Sequence, residues 1–218
     1  MATTSDYLTQ LQADKQTLVN NLVEKGVEAN ANETFTSLAP KVLDIKSGGG
    51  ELERGVIINA CDENGYITDV TVKGILNMPL YFMRYAFSNS RNKWAGENLI
   101  LRIKDITPVA NQAFRYNDMV KKLIVTNCTL GNQYIFQNCT SLEEAIFETN
   151  ISYMAGGVFH TCTALKKLSF PNNTEVCTIN SDTFTSCPLE TIEVPSALVD
   201  SWKVAENWSN YADKIVGI

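Results

Sequence analysis

The sequence predicts a mainly β solenoid built from repeats, with helices at its two ends. Three observations predict it. The stretch 136–147, Phe-Gln-Asn-Cys-Thr-Ser-Leu-Glu-Glu-Ala-Ile-Phe, returns at 159–170 as Phe-His-Thr-Cys-Thr-Ala-Leu-Lys-Lys-Leu-Ser-Phe, with Phe, Cys, Leu and the last Phe at the same offsets. The same register runs upstream through Phe114, Asn117, Val120, Leu123 and Val125, and downstream through Phe184, Cys187, Leu189, Ile192 and Val194 after a one-residue deletion. From a degenerate first copy at Ala86-Phe87, the phenylalanines 87, 114, 136, 159 and 184 step by 27, 22, 23 and 25 residues, a period at which chains form stacked units, each burying its apolar face on the next.

The elements follow in chain order. Residues 6–25 are predicted helical, because Leu8, Leu11, Leu18 and Leu22 recur at helical spacing with Asp14, Lys15, Asn21 and Glu24 between them. Ser5 is placed as the N-cap and Gly26 as the stop. A second short helix is expected over 35–46, with Phe35, Leu38, Val42 and Ile45 on one side and Pro40 marking its start or a kink. Together 1–46 form an attachment or oligomerisation segment. The seam is short for a coiled coil, so packing on a neighbour and self-association both stay open. Ser47-Gly48-Gly49-Gly50 reads as a linker over 47–50.

Residues 51–84 turn to strands. Val56 to Cys61 and Tyr66 to Val72 flank Asp62-Glu63-Asn64-Gly65, a hairpin signal, and the hairpin is expected to cap the first repeat, where a bare end would expose core and sheet edge. Tyr81, Phe82, Met83, Tyr85 and Phe87 are expected to pack between this cap and the first repeat. The repeats occupy 85–195. Their strands are the triplets 123–125, 145–147, 168–170 and 192–194, whose alternate residues point inward. Pro171 and Pro195 close two of them, since proline donates no N–H to a ladder. Residues 196–218 are expected to form a helical C-terminal cap.

Composition bounds the function. Of 218 residues, 44% are hydrophobic, enough for a real core, and the formal charge of −6 gives no electrostatic reason for a nucleic-acid partner or an anionic membrane. No apolar run reaches the length of a membrane span, and the start Met-Ala-Thr-Thr-Ser lacks the basic and apolar parts of a signal peptide, so export by the usual route is not expected of the chain as given. Six cysteines, at 61, 128, 139, 162, 177 and 187, include no Cys-x-x-Cys, and neither zinc nor redox chemistry is expected. Cys139, Cys162 and Cys187 share one repeat position. Buried thiols stacked in a row are the favoured reading, and a disulfide framework the other.

The pattern Ala-Phe-x-x-Cys-x-x-Leu-x-x-Leu-x-Leu-Pro carries a resemblance. Seen at Phe136, Cys139 and Leu142, at Phe159, Cys162, Leu165, Leu168, Phe170 and Pro171, and at Phe184, Cys187, Ile192, Val194 and Pro195, it resembles the BspA-like (Treponema pallidum type) leucine-rich repeats over about 85–195. The first copy departs from it: Ser90 stands for Cys, and 91–98 reads as an insertion. The resemblance implies a leucine-rich-repeat solenoid, right-handed α/β or β, used for recognition or adhesion. The end, Val194-Pro195-Ser196-Ala197-Leu198-Val199-Asp200-Ser201-Trp202-Lys203, then Asn207-Trp208 and 211–216, is similar to the C-terminal cap of such repeats in phage and prophage proteins of Gram-positive bacteria. The pieces Lys-Gly-Val and Glu-Thr-Phe-Thr-Ser-Leu-Ala-Pro within 18–45 are similar to tail-associated proteins of the same source. That implies a helical end that attaches to a particle or oligomerises, with the repeats facing outward.

No catalytic constellation emerges. The single histidine, His160, holds a repeat position that elsewhere carries Arg115, Gln137 and Thr185, which reads as a variable, solvent-facing site. A His160–Cys162 dyad would need a thiol that belongs to the buried row. Glu143-Glu144, and Glu190 with Glu193, offer carboxylate pairs such as a glycosidase uses, but Lys166-Lys167 one repeat on points instead to charge pairing between rungs. Ser47–Gly50 lacks the lysine and strand of a phosphate loop. The Asn-x-Thr matches at 127 and 138 follow from the repeat grammar.

The expected function is therefore a recognition or adhesion module without catalytic residues, cofactor or metal, binding a protein or a cell-surface glycan from a phage particle or a cell surface. Its partner surface is placed on Arg91, Trp94, Arg115, Tyr116, Gln137, Glu143, Glu144, His160, Lys166 and Lys167, with possible homo-oligomerisation through 6–46. The alternatives are a carbohydrate-active enzyme on a β-solenoid and a purely structural assembly protein.

Overall fold

A computed structural model describes residues 4–24, 28–34, 55–74, 86 and 95–218. The expected helix at 35–46, the glycine linker, the aromatic stretch at 81–85 with Phe87, and Arg91 and Trp94 lie outside the described residues. The chain divides into two compact units, Met1–Glu53 and Arg54–Ile218.

In the first unit, α1 (Thr4–Glu24) carries Leu22 and Val19 into a small apolar cluster with Leu18 and Ala29. The chain after the helix folds back along it, and Lys15 Nζ donates to Ala31 O at 2.7 Å. The helix already includes Ser5, so Ser5 is not its cap.

The second unit is built on one sheet of parallel rungs. Its first two strands, β1 (Gly55–Cys61) and β2 (Ile67–Lys73), form the hairpin, antiparallel, with Val56 opposite Val72 and Ile58 opposite Val70. The turn is closed by Asp62, whose carboxylate accepts the N–H of Asn64 and of Tyr66, while Gly65 takes φ +82°. From β2 onward every neighbour is parallel. β3 (Ala95–Lys104), β4 (Val120–Thr126), β5 (Glu144–Phe147), β7 (Lys167–Ser169) and β9 (Thr191–Val194) follow in order, and β10 (Ile215–Gly217) ends the sheet. Residues 95–98, read as part of an insertion, belong to β3. A two-stranded parallel pair, β6 (Tyr153–Met154) with β8 (Thr178–Ile179), joins the repeats on another side, and Leu130 bridges to Met154.

The period becomes contact through register. Leu101, Leu123, Ala145, Leu168 and Ile192 stand beside one another on the inner face, each exposed by no more than 1%. Behind them Phe114, Phe136, Phe159 and Phe184 stack at 5.5, 5.3 and 5.7 Å between ring centres, and Phe147 on Phe170 at 4.6 Å, offset ring pairs that add to the burial of each side chain. The thiols form a row as well. Cys139 Sγ donates to Phe114 O, Cys162 Sγ to Phe136 O and Cys187 Sγ to Phe159 O, at 3.1 to 3.3 Å. All described cysteines are free.

After β9 the chain runs through a 3-10 turn (Ser196–Leu198), α2 (Val199–Val204) and a kinked 3-10 segment (Trp208–Lys214). Trp202 and Trp208 are fully buried against Phe170 and Phe184. The end is not wholly helical: β10 returns to the sheet, with Ile215 beside Ile192.

Candidate functional site

The described residues among those singled out from sequence fall on two separate rows of the repeat stack, because they occupy different positions of the same repeat. Arg115, Gln137 and His160, with Thr185, follow the stacked phenylalanines directly. Tyr116, Asn138, Thr161 and Ser186 come next, all with φ between 61° and 65°. This left-handed conformation is unusual for tyrosine and threonine, and the ladder holds it. Tyr116 N–H donates to Gln137 O, Asn138 N–H to His160 O and Thr161 N–H to Thr185 O, at 2.8 to 3.0 Å. The backbone of this turn row is thus the same from rung to rung while its side chains change.

Arg115, Gln137 and His160 are half-buried, which corrects their reading as solvent-facing. Side chains on adjacent rungs stand about 4.8 Å apart and cover one another. The Arg115 guanidinium lies 4.5 Å over the Tyr116 ring and donates through Nη1 to Gln112 Oε1. Its Nε and Gln137 Oε1 are buried without a hydrogen-bond partner among the described residues. His160 Nδ1 sits 2.7 Å from Thr161 Oγ1. Cys162 is fully buried with its thiol on Phe136 O, and burial first, then the neighbouring thiols, push its pKa well above the ordinary value. His160 and Cys162 therefore make different bonds, and the thiol is far from thiolate.

Glu143, Glu144, Lys166 and Lys167 lie where the chain enters the strands, and the structure brings them together. Lys121 meets Glu143 at 2.6 Å, Lys122 meets Glu144 at 2.7 Å and Lys166 meets Glu190 at 2.8 Å. Lys167 bridges Glu144 at 3.5 Å and Glu193 at 2.8 Å. On the outer face of the sheet, Arg102 on β3 pairs with Asp69 on β2 through both Nε and Nη2, and Asn59 on β1 donates to the same carboxylate. Lys121 and Lys122 were missed from sequence, although the signal was present: lysine and glutamate doublets alternate at one repeat position through 121–122, 143–144 and 166–167. The central outer-face residues Ile124, Ile146 and Ser169 were missed too, since a position that takes Ile, Ser and Glu193 shows no pattern to read.

Among the described residues no His, Cys, Asp or Glu side chains converge as a metal site, and no helix is long and apolar enough to cross a membrane. The family model for the BspA type leucine rich repeat region matches residues 81–203 in six copies. No curated protein and no solved structure matches the chain.

Proposed function

Because the chain belongs to the BspA type leucine rich repeat family, we propose that it is a non-enzymatic module that binds a protein partner through a capped solenoid. The parallel rungs of the Arg54–Ile218 unit support the solenoid, and the hairpin at one end and the tryptophan-bearing segment at the other support the caps. The observation that carries the binding reading is the turn row: an invariant backbone ladder that sets the half-buried Arg115, Tyr116, Gln137 and His160 side by side while their identities change from rung to rung. A rigid row presents side chains without ordering cost at each contact. The charged row supports binding less, because its carboxylates and ammoniums already neutralise one another. That same pairing speaks against Glu143 and Glu193 as glycosidase carboxylates, each being held by a lysine.

In this reading the Met1–Glu53 unit attaches the module to a larger assembly, a phage particle or a cell surface, and the repeats face outward. The test is retention of partner proteins from the surface of a bacterial host on the immobilised chain, identified by mass spectrometry. Retention should be lost when Arg115, Gln137 and His160 are replaced together by alanine with the thermal transition intact. Unchanged retention would move the site off the turn row, and turnover of glycans by the pure protein, lost in Glu143→Ala or Glu193→Ala, would replace the reading with the enzymatic one.

A further inference from the structure

The residues that lead each repeat into its strand are joined through their own backbones. Glu143 N–H donates to Lys121 O, Lys166 N–H to Glu143 O and Glu190 N–H to Lys166 O, at 2.8, 3.0 and 2.8 Å. Their side chains are 35% to 63% exposed, so they stand at the surface as one straight file. In sign the file reads positive, negative, positive, negative. In the adjacent file Lys122, Glu144 and Lys167 repeat the first three signs, and Thr191 stands where a fourth charge would be.

Alternation serves neighbours within the chain, and it has a second property: reversing the file turns each sign into its opposite. A two-fold axis midway between Glu143 and Lys166 would set Lys121 against the partner's Glu190, and Glu143 against the partner's Lys166. All four charges then meet opposites, and the two halves of the contact are identical, as a symmetric dimer requires. The period names the occupant. Rungs repeat at about 4.8 Å, and an object must share that period to keep charge against charge along the whole file. A second copy of this chain shares it by construction.

We propose that this file is a self-association surface through which two copies pair antiparallel. The surface is separate from the turn row, so the binding reading and this one stand or fall apart. Exposed ion pairs are individually weak and screened by salt, so the pairing is salt-sensitive.

The experiment is light scattering with size exclusion on the full chain at about 100 μM, in about 50 mM and about 500 mM salt. The mass should double from 24.2 kDa at low salt and return to that of the monomer at high salt. Lys121→Glu with Glu143→Lys keeps the bond within the chain but makes the file negative, positive, positive, negative, which sets like charges opposite at every position. Lys166→Glu with Glu190→Lys does the same in the other order. Each double variant should be monomeric, with its thermal transition showing that it is folded. The two mixed in equal amounts should recover the doubled mass, because each file is the complement of the other, and all four substitutions in one chain should recover it too. A wild-type monomer at low salt overturns the proposal. So does a dimer that survives in either double variant, which would place the association elsewhere, for instance in the helix of the first unit.

Discussion

The Tyr134 ring lies directly over Gly157, one rung along the stack, and a Cβ on that glycine would overlap the ring. Gly157 has φ +66°, but the backbone alone does not demand glycine, since Gln112 and Tyr134 hold the equivalent positions at φ 59° and 58°. The ring is what excludes a side chain. Gly157→Ala should therefore destabilise the repeats by about 2–4 kcal/mol, combining the left-handed penalty with displacement of the ring. In urea titrations the Tyr134→Ala, Gly157→Ala double variant should lie about 1–2 kcal/mol above the sum of the singles. Strict additivity would show that the ring does not set the glycine.

What was legible from sequence follows from which residues face inward. Phe136, Cys139 and Leu142 recur because each meets its own counterpart one rung away, and a side chain stacked on its equivalent keeps its type. β10 was not legible. Ile215-Val216-Gly217 is too short to show alternation, and its partner, β9, lies more than twenty residues earlier. The two-residue strands β6 and β8 are silent for the same reason. Tyr116 and Thr161 hide their left-handed backbone, because their residue types argue against it and only the ladder to the next rung imposes it. For the candidate site, the variable identity at Arg115, Gln137 and His160 read as exposure, whereas stacking half-buries them. The charged file was half read, through Glu143-Glu144 and Lys166-Lys167, and lacked only the lysines that begin it.

The two indoles at the end of the stack should respond differently to the same change. Trp208 Nε1 donates to Cys177 O at 2.6 Å, whereas Trp202 Nε1 is buried with no partner among the described residues. Trp208→Phe strands a buried carbonyl; Trp202→Phe removes an unpaired donor. Trp208→Phe should therefore be the more destabilising by about 1–3 kcal/mol, from thermal or urea unfolding. An equal loss in both would mean that lost volume, rather than the hydrogen bond, sets the cost.

Thiol reactivity should map the stack. Cys61 is exposed on β1, while Cys128, Cys139, Cys162 and Cys177 are buried. Burial pushes the Cys128 thiol up to about 11 and the Cys177 thiol up to about 12, and thiolate is the reactive form. Iodoacetamide at about pH 8 should label Cys61 first, leaving the buried thiols for denaturant to release, with peptide mass spectrometry assigning each site. Labelling of Cys162 as fast as Cys61 would show that the thiol row opens in the native state.

Acid should weaken the fold through the outer face of the sheet. Burial raises the Asp69 carboxyl, but hydrogen bonds from Arg102 and Asn59, with the Arg102 charge, outweigh it and hold the pKa below the ordinary 3.8. At Glu193 burial is likewise outweighed, by hydrogen bonds from Lys167 and Ser169 and by the lysine's charge, and the pKa falls below 4.5. A group whose pKa is lower folded than unfolded stabilises fully above the unfolded value, and that stability drains as pH falls through the folded one. The melting temperature should then be level at neutral pH and decline once the pH drops below these ordinary values. Asp69→Asn should lower the neutral plateau and shallow the decline, because the amide accepts fewer bonds from Arg102 and has no proton to take up. Glu193→Gln should act the same way through Lys167. At the alkaline end the sign inverts. The Lys166 and Lys167 pKa values are raised first by their hydrogen bonds to Glu190 and Glu193, so their contribution is complete below the ordinary 10.5 and is lost as pH climbs through the raised values. Circular dichroism melts over a pH series read all of this, and an acid limb equally steep in wild type and Asp69→Asn would remove the Asp69–Arg102 pair from the account.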